Sequence, residues 1–200
     1  IEIGGKFELF ERRALLGVAM FYSEKYNERN TDPDTAAQQE LLSGKRHATG
    51  MEFNLAGRIT PKWEVFFNHT WIPDAKIDQS NVVPFNANGS VNNAQRQGDR
   101  PGLTPKHSGS FWSTYAVTSS VRVGAGLTYR GKQNPEGQRS YYASGFSTVD
   151  AMVEYAFDEK TSLKLNVSNL FDRVYADALY RGFYTPGAAR SVQVTLKTRF

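Results

Sequence analysis

Apolar and polar side chains alternate with a period of two along most of this chain, the spacing of strands whose two faces meet different surroundings. At 191–200, Val192, Val194, Leu196 and Phe200 fall on one side and Gln193, Thr195, Lys197 and Arg199 on the other. At 46–59, Met51, Phe53, Leu55 and Ile59 oppose Glu52, Asn54 and Arg58, and at 121–132, Val123, Ala125, Leu127 and Tyr129 oppose Arg122, Thr128 and Arg130. The same reading gives nine extended segments: 1–11, 14–29, 46–59, 63–77, 108–117, 121–132, 146–157, 161–175 and 191–200. Their connections are unequal. Arg12-Arg13, Thr60-Pro61-Lys62, Thr118-Ser119-Ser120 and Asp158-Glu159-Lys160 are tight turns, whereas 31–44, 78–106, 133–144 and 176–187 are long and mostly polar. The run 36–42 has the composition of a short helix, and 78–106 is long enough to be expected either as a functional loop or as a disordered one.

Alternation alone does not say which side is dry. A soluble secreted all-β binding module would press its apolar faces together, and a membrane barrel would turn them to lipid. Three features favour the barrel. The segments exceed the roughly five or six residues usual for globular strands and reach the roughly nine to eleven that cross a bilayer at a tilt. Short turns alternate with long loops, as in outer-membrane barrels. Aromatics gather near segment ends, at Tyr22, Trp63, Trp71, Tyr129, Phe157, Tyr175 and Phe200, where interfacial girdles lie.

Composition narrows the classes. Apolar residues at 40% and aromatics at 13% are too many for a disordered chain. Mean hydropathy of −0.52 and the lack of a long apolar run exclude a spanning helix but leave spanning strands open. There is no cysteine, hence no disulfide or thiolate site. The +4 formal charge is scattered, so nucleic-acid binding is not expected. His47, His69 and His107 stand apart, without a neighbouring Cys or carboxylate, so no protein metal site is expected. Asp32-Pro33-Asp34 lacks the ligand ladder of a calcium loop. No nucleophile, base and orienting acid recur together, so the chain is not expected to be an enzyme.

Single-chain bacterial barrels have an even number of strands. Nine segments therefore suggest part of a larger barrel, with the carboxyl terminus on the short-turn, periplasmic side, and the opening Ile1 fits a processed or truncated chain. The residues also carry a resemblance. Asn169-Leu170-Phe171-Asp172-Arg173-Val174-Tyr175, then Pro186-Gly187-Ala188-Ala189-Arg190-Ser191-Val192 and a strand ending in Phe200, resemble the carboxyl-terminal signature of TonB-dependent siderophore receptors. Glu2-Ile3-Gly4-Gly5-Lys6, the run from Tyr26 to Pro33, Gly50-Met51-Glu52-Phe53 and Thr104-Pro105-Lys106-His107-Ser108 are similar to that family in the same order.

The resemblance implies the last nine strands of a 22-stranded antiparallel transmembrane β-barrel, in a single domain over 1–200, with the plug domain and first strands absent from this chain. It further implies residence in the outer membrane of a Gram-negative bacterium, contact with outer-membrane lipid, and uptake of a ferric siderophore driven by the TonB complex through the plug. The siderophore is the transported ligand, and no cofactor is expected. Phe200 is then the outer-membrane insertion signal, read by the barrel assembly machinery. Candidate ligand contacts are the aromatic and cationic residues of the outer loops: Arg139, Tyr141 and Tyr142, and Tyr180, Arg181, Phe183 and Tyr184, with Phe85, Arg130 and Trp71 as weaker candidates. Aromatic faces pack on catecholate-like rings, and Arg offers forked donors to an anionic complex.

Overall fold

A computed structural model describes residues 1–31 and 40–199. They form strands and loops, with no helix among the described residues. Nine strands make one antiparallel meander: β1 (Glu2–Leu9), β2 (Ala14–Thr31), β3 (Glu40–Thr60), β4 (Trp63–Gln79), β5 (His107–Ala116), β6 (Val121–Arg130), β7 (Phe146–Ala156), β8 (Thr161–Ser168) and β11 (Ser191–Thr198). Each pairs with the next in the chain, except that β8 pairs with β11 across a small hairpin of β9 (Ala176–Tyr180) and β10 (Phe183–Pro186). The sheet is open, with β1 and β11 at its two edges.

Register decides what each face carries. One row runs through Leu16, Leu55, Phe67, Phe111, Leu127 and Val149, and another through Trp63, Tyr115, Val123, Val153, Leu165 and Val194. The opposite face carries the row Asn54, Asn68, Ser110, Thr128 and Thr148. Among the described residues no second layer covers the apolar rows: Leu127 is 43% exposed, Phe111 39% and Val194 62%. A soluble module would have to leave this whole greasy face in water, so the soluble alternative is set aside; facing lipid, the same face is at home. The polar face instead builds its own network. Glu64 accepts from Arg58 at 2.7 Å, with Arg122 at 3.5 Å and the Thr114 hydroxyl at 3.4 Å.

Side chains close the tight turns. The Asp158 carboxylate accepts from the backbone N–H of Lys160 (2.8 Å) and Thr161 (2.7 Å), which holds its pKa below the ordinary value. Thr118 Oγ1 does the same for Ser120 and Val121. The first turn, 10–13, places Phe10, Glu11 and Arg12 at φ of 52°, 57° and 65°, with Arg13 donating to the Phe10 carbonyl.

On the other side, β2, β3 and β4 run to 18, 21 and 17 residues, well past the length that crosses a bilayer, so their outer ends stand clear of it. The proposed helix at 36–42 is not formed where it is described, since 40–42 belong to β3; 36–39 and the Asp32-Pro33-Asp34 turn lie outside the described residues. The eighth segment ends at Ser168 rather than Tyr175, because Asn169 and Asp172 take φ of 49° and 52°, conformations that break a strand.

Candidate functional site

The described long loops, 80–106, 131–145 and 169–190, leave the sheet at the end opposite the tight turns, and side-chain clasps give them shape. The loop 80–106 is crossed by several such clasps. Arg100 donates to the carbonyls of Ile72 (2.6 Å) and Thr104 (2.7 Å), tying the loop to β4, and burial lowers its pKa from the ordinary value while leaving it charged. Gln95 joins this loop to 131–145: its Oε1 accepts from the N–H of Gly102 and of Gly137, both at 3.0 Å. Arg139 grips Asp99 through two nitrogens, at 3.0 and 3.3 Å.

The segment 169–190 is fastened by the motif that carried the family resemblance. Asn169 is 5% exposed. Its amide donates to the carbonyls of Arg173 (2.9 Å) and Ala188 (3.0 Å), its Oδ1 accepts from the Arg173 N–H (2.9 Å), and its own N–H donates to Asp150 (2.7 Å). Asp172 accepts from the Arg190 N–H at 2.8 Å. The two ends of the loop are thereby held together, and β11 starts in register with β8. Gly187 lies against the Tyr175 ring, where a Cβ would collide with it, and Tyr175 stacks on Phe146 at 4.2 Å between centroids.

These clasps frame an aromatic cup of about 460 Å³ whose wall includes Tyr141, Tyr142, Phe146, Arg173, Phe183 and Tyr184. Beside it opens a wider vestibule of about 930 Å³, reached by Lys25, Lys45, Arg46, Tyr180 and Arg181, with Glu28 and Glu136 as its carboxylates. The β9–β10 hairpin stands between the two, and Leu179 borders both. Tyr141 fastens the hairpin by accepting the Gly182 N–H at 2.7 Å, while Tyr180 and Phe183 stack at 4.7 Å.

Of the candidates named from the sequence, Tyr141, Tyr142, Phe183 and Tyr184 thus meet in the cup, and Tyr180 and Arg181 face the vestibule. Arg130 lies 5.4 Å over the Phe146 ring and donates to the Asp177 carbonyl at 2.6 Å, which makes it a support for the cup. Arg139 is committed to Asp99. Phe85 bridges Val91 on a separate hairpin, and Trp71 sits on the outward face beside His107. Phe200 lies outside the described residues. Phe146 and Tyr175, strand and girdle residues by their sequence pattern, also border the cup, as does Arg173 of the Asn169-to-Tyr175 motif.

The histidines are not isolated either. His47 stands on the part of β3 beyond the membrane, between Asp78 (2.8 Å) and Asp74 (3.0 Å), which raise its pKa above the ordinary value. His69 and His107 touch each other at 3.3 Å. No cluster of three or more metal-ligating groups occurs among the described residues.

The family model of the TonB dependent receptor-like β-barrel matches residues 1–170. BfrD of Bordetella pertussis, a probable TonB-dependent receptor, is 32% identical over 210 residues, covering 100% of this chain and 26% of its own length. The catecholate siderophore receptor Fiu of Escherichia coli is 29% identical over 205 residues, covering 100% of this chain and 25% of Fiu. Among solved structures, the closed form of Fiu, a ferric-catecholate import receptor, superposes at a TM-score of 0.82 with 30% identity, over 100% of this chain and 27% of that one. The siderophore receptor PiuA from Acinetobacter baumannii gives 0.85 with 27% identity, over 98% and 28%. The chain spans about a quarter of the length of the curated relatives it matches, 26% and 25% of the two above. Its single-layer sheet, lipid-type outer face and family match agree: the chain belongs to the TonB-dependent receptor β-barrel family, as a segment of an outer-membrane barrel.

Proposed function

We propose that the protein to which this segment belongs imports a ferric siderophore across the outer membrane, driven by the TonB complex acting through a plug domain, and that this segment supplies part of the outer mouth where the ligand is captured. The observation that carries the reading is the aromatic cup, with Tyr141, Tyr142, Phe146, Phe183 and Tyr184 around Arg173, opening beside a vestibule in which five cationic residues (Lys25, Arg29, Lys45, Arg46 and Arg181) outnumber the carboxylates Glu28 and Glu136 and the adjoining Glu24, to which Lys25, Arg46 and Lys45 are paired. Flat rings take offset stacking on Tyr and Phe, and the cationic rim favours an anionic complex. A catecholate ligand satisfies both demands better than a hydroxamate, which has no ring to stack; among the relatives, Fiu is named a catecholate siderophore receptor. Iron arrives already chelated, and the segment performs no catalysis. Outer-membrane lipid meets the apolar face, and the barrel assembly machinery inserts the whole barrel.

The test is binding of ferric catecholate and ferric hydroxamate complexes to the full-length receptor in detergent, read by quenching of intrinsic fluorescence. Tyr142→Ala and Phe183→Ala are each expected to weaken catecholate binding at least tenfold while heat-modifiable gel migration is retained. Unchanged affinity in both variants would remove the cup from the ligand path.

A further inference from the structure

On the outward face of the barrel, at the level of Trp71, the sheet brings together two imidazoles that lie 38 positions apart in the chain. His69 on β4 pairs with Gly109, and His107 on β5 pairs with Trp71, so the two histidines are diagonal neighbours on one face. His69 Nε2 and His107 Nδ1 are 3.3 Å apart, one ring N–H donating to the other's bare nitrogen. Each ring is backed by an aromatic: Phe67 stacks on His69 with an interplanar angle of 7°, and Trp71 stacks on His107 at 11°. Gly109 leaves the His69 ring its place, since a Cβ there would lie 3.2 Å from His69 Nδ1 and collide with the Asn68 carbonyl.

We propose that His69 and His107 form a two-imidazole site for a divalent late transition-metal ion, Cu²⁺ or Zn²⁺, on the outward face of the barrel at the loop end of β5. Tetrahedral bonds of about 2.0–2.1 Å put two ligating nitrogens roughly 3.3–3.4 Å apart, which is the separation already present. The rings need only turn by roughly 35° for both lone pairs to converge on one ion instead of on each other. Phe67 and Trp71 lie nearly parallel to the two imidazoles, at 6.3 and 6.2 Å between centroids, and flank them on that face. Imidazole selects copper and zinc over magnesium or calcium, and copper binds the tighter of the two. His107 is the first residue of β5, at its loop end beside the exposed Lys106, so water of the headgroup layer completes the coordination shell.

The experiment is titration of the untagged full-length receptor in detergent with Cu²⁺, followed by the electron paramagnetic resonance of bound copper, and with Zn²⁺ in competition. The expected result is one equivalent with the signature of two nitrogen ligands, weakened at least tenfold by either His69→Ala or His107→Ala and unaffected by His47→Ala. Heat-modifiable migration of each variant confirms that the barrel has formed. Titration curves of His69→Ala and His107→Ala that overlay that of the unaltered receptor, or a loss produced equally by His47→Ala, would overturn the assignment.

Discussion

An arginine introduced at Leu127 measures how deep that residue sits in the membrane. Leu127 is six residues along β6 from Val121, at about 3.4 Å each, hence about 20 Å along the strand. A tilt of about 40° reduces this to about 15 Å along the membrane normal, close to the middle of an apolar band about 25 Å tall. Val123, on the same face and only two residues from the strand start, comes to about 5 Å, near the periplasmic interface. Thr128 lies in the polar row with Asn68, Ser110 and Thr148. Arg near the midplane of a barrel's lipid face costs about 2–4 kcal/mol, and near the interface about 0–1 kcal/mol. Leu127→Arg is therefore expected to lower stability by about 3 kcal/mol, a factor of about 150 in the unfolding equilibrium. Val123→Arg should cost less than about 1 kcal/mol, and Thr128→Arg should lie within about 0.5 kcal/mol of the parent. The assay is reversible guanidinium unfolding of the full-length receptor in lipid vesicles. In a dry protein core, depth along the strand would not matter and both apolar-face arginines would be equally damaging. Equal losses at 123 and 127 would therefore refute the reasoning.

Three further outcomes follow from the geometry. His47 gains two carboxylate partners on folding, Asp78 foremost, so its contribution is complete below its unfolded pKa of about 6.5 and fades as pH rises through the raised folded value. Hydrogen exchange at the outer ends of β3 and β4 should accelerate across that window, and His47→Gln should flatten the dependence. Asn169→Ala strands the Arg173 N–H and two carbonyls, at a cost of about 1–3 kcal/mol; limited proteolysis within 169–190 should quicken while cleavage elsewhere is unchanged. Glu64→Gln disturbs an ion network whose arginines are half exposed, so it should shift the unfolding midpoint by no more than about 1 kcal/mol.

The nine strands of the main sheet were readable in the sequence because each crosses between two different solvents, and period-two alternation records that directly. Their order followed from the tight turns. Where signals other than alternation decide the structure, the reading fell short. By its apolar residues Leu170, Val174 and Tyr175 the eighth segment reads as a strand to Tyr175, but Asn169 and Asp172 spend their side chains on loop carbonyls and N–H groups and end the strand. The β9–β10 hairpin, five and four residues long, is too short to give a period. At the mouth, aromatic composition pointed to Tyr141, Tyr142, Phe183 and Tyr184, but composition could not tell that Arg139 would be used up by Asp99, 40 positions away. Nor could chain spacing reveal that His69 and His107 meet, since their contact depends on the register between β4 and β5.

The most direct test of the account takes advantage of a segment without cysteine. Single cysteines at Phe67, Leu127, Val149, Asn68, Thr128 and Thr148, spin-labelled in the full-length receptor in lipid vesicles, report which face meets acyl chains. The account predicts high collision with oxygen and low collision with a water-soluble nickel chelate at 67, 127 and 149, and a lower oxygen-to-nickel ratio at 68, 128 and 148. Labels at 67, 127 and 149 shielded from both reagents would mean that the apolar rows are packed against protein, and would contradict it.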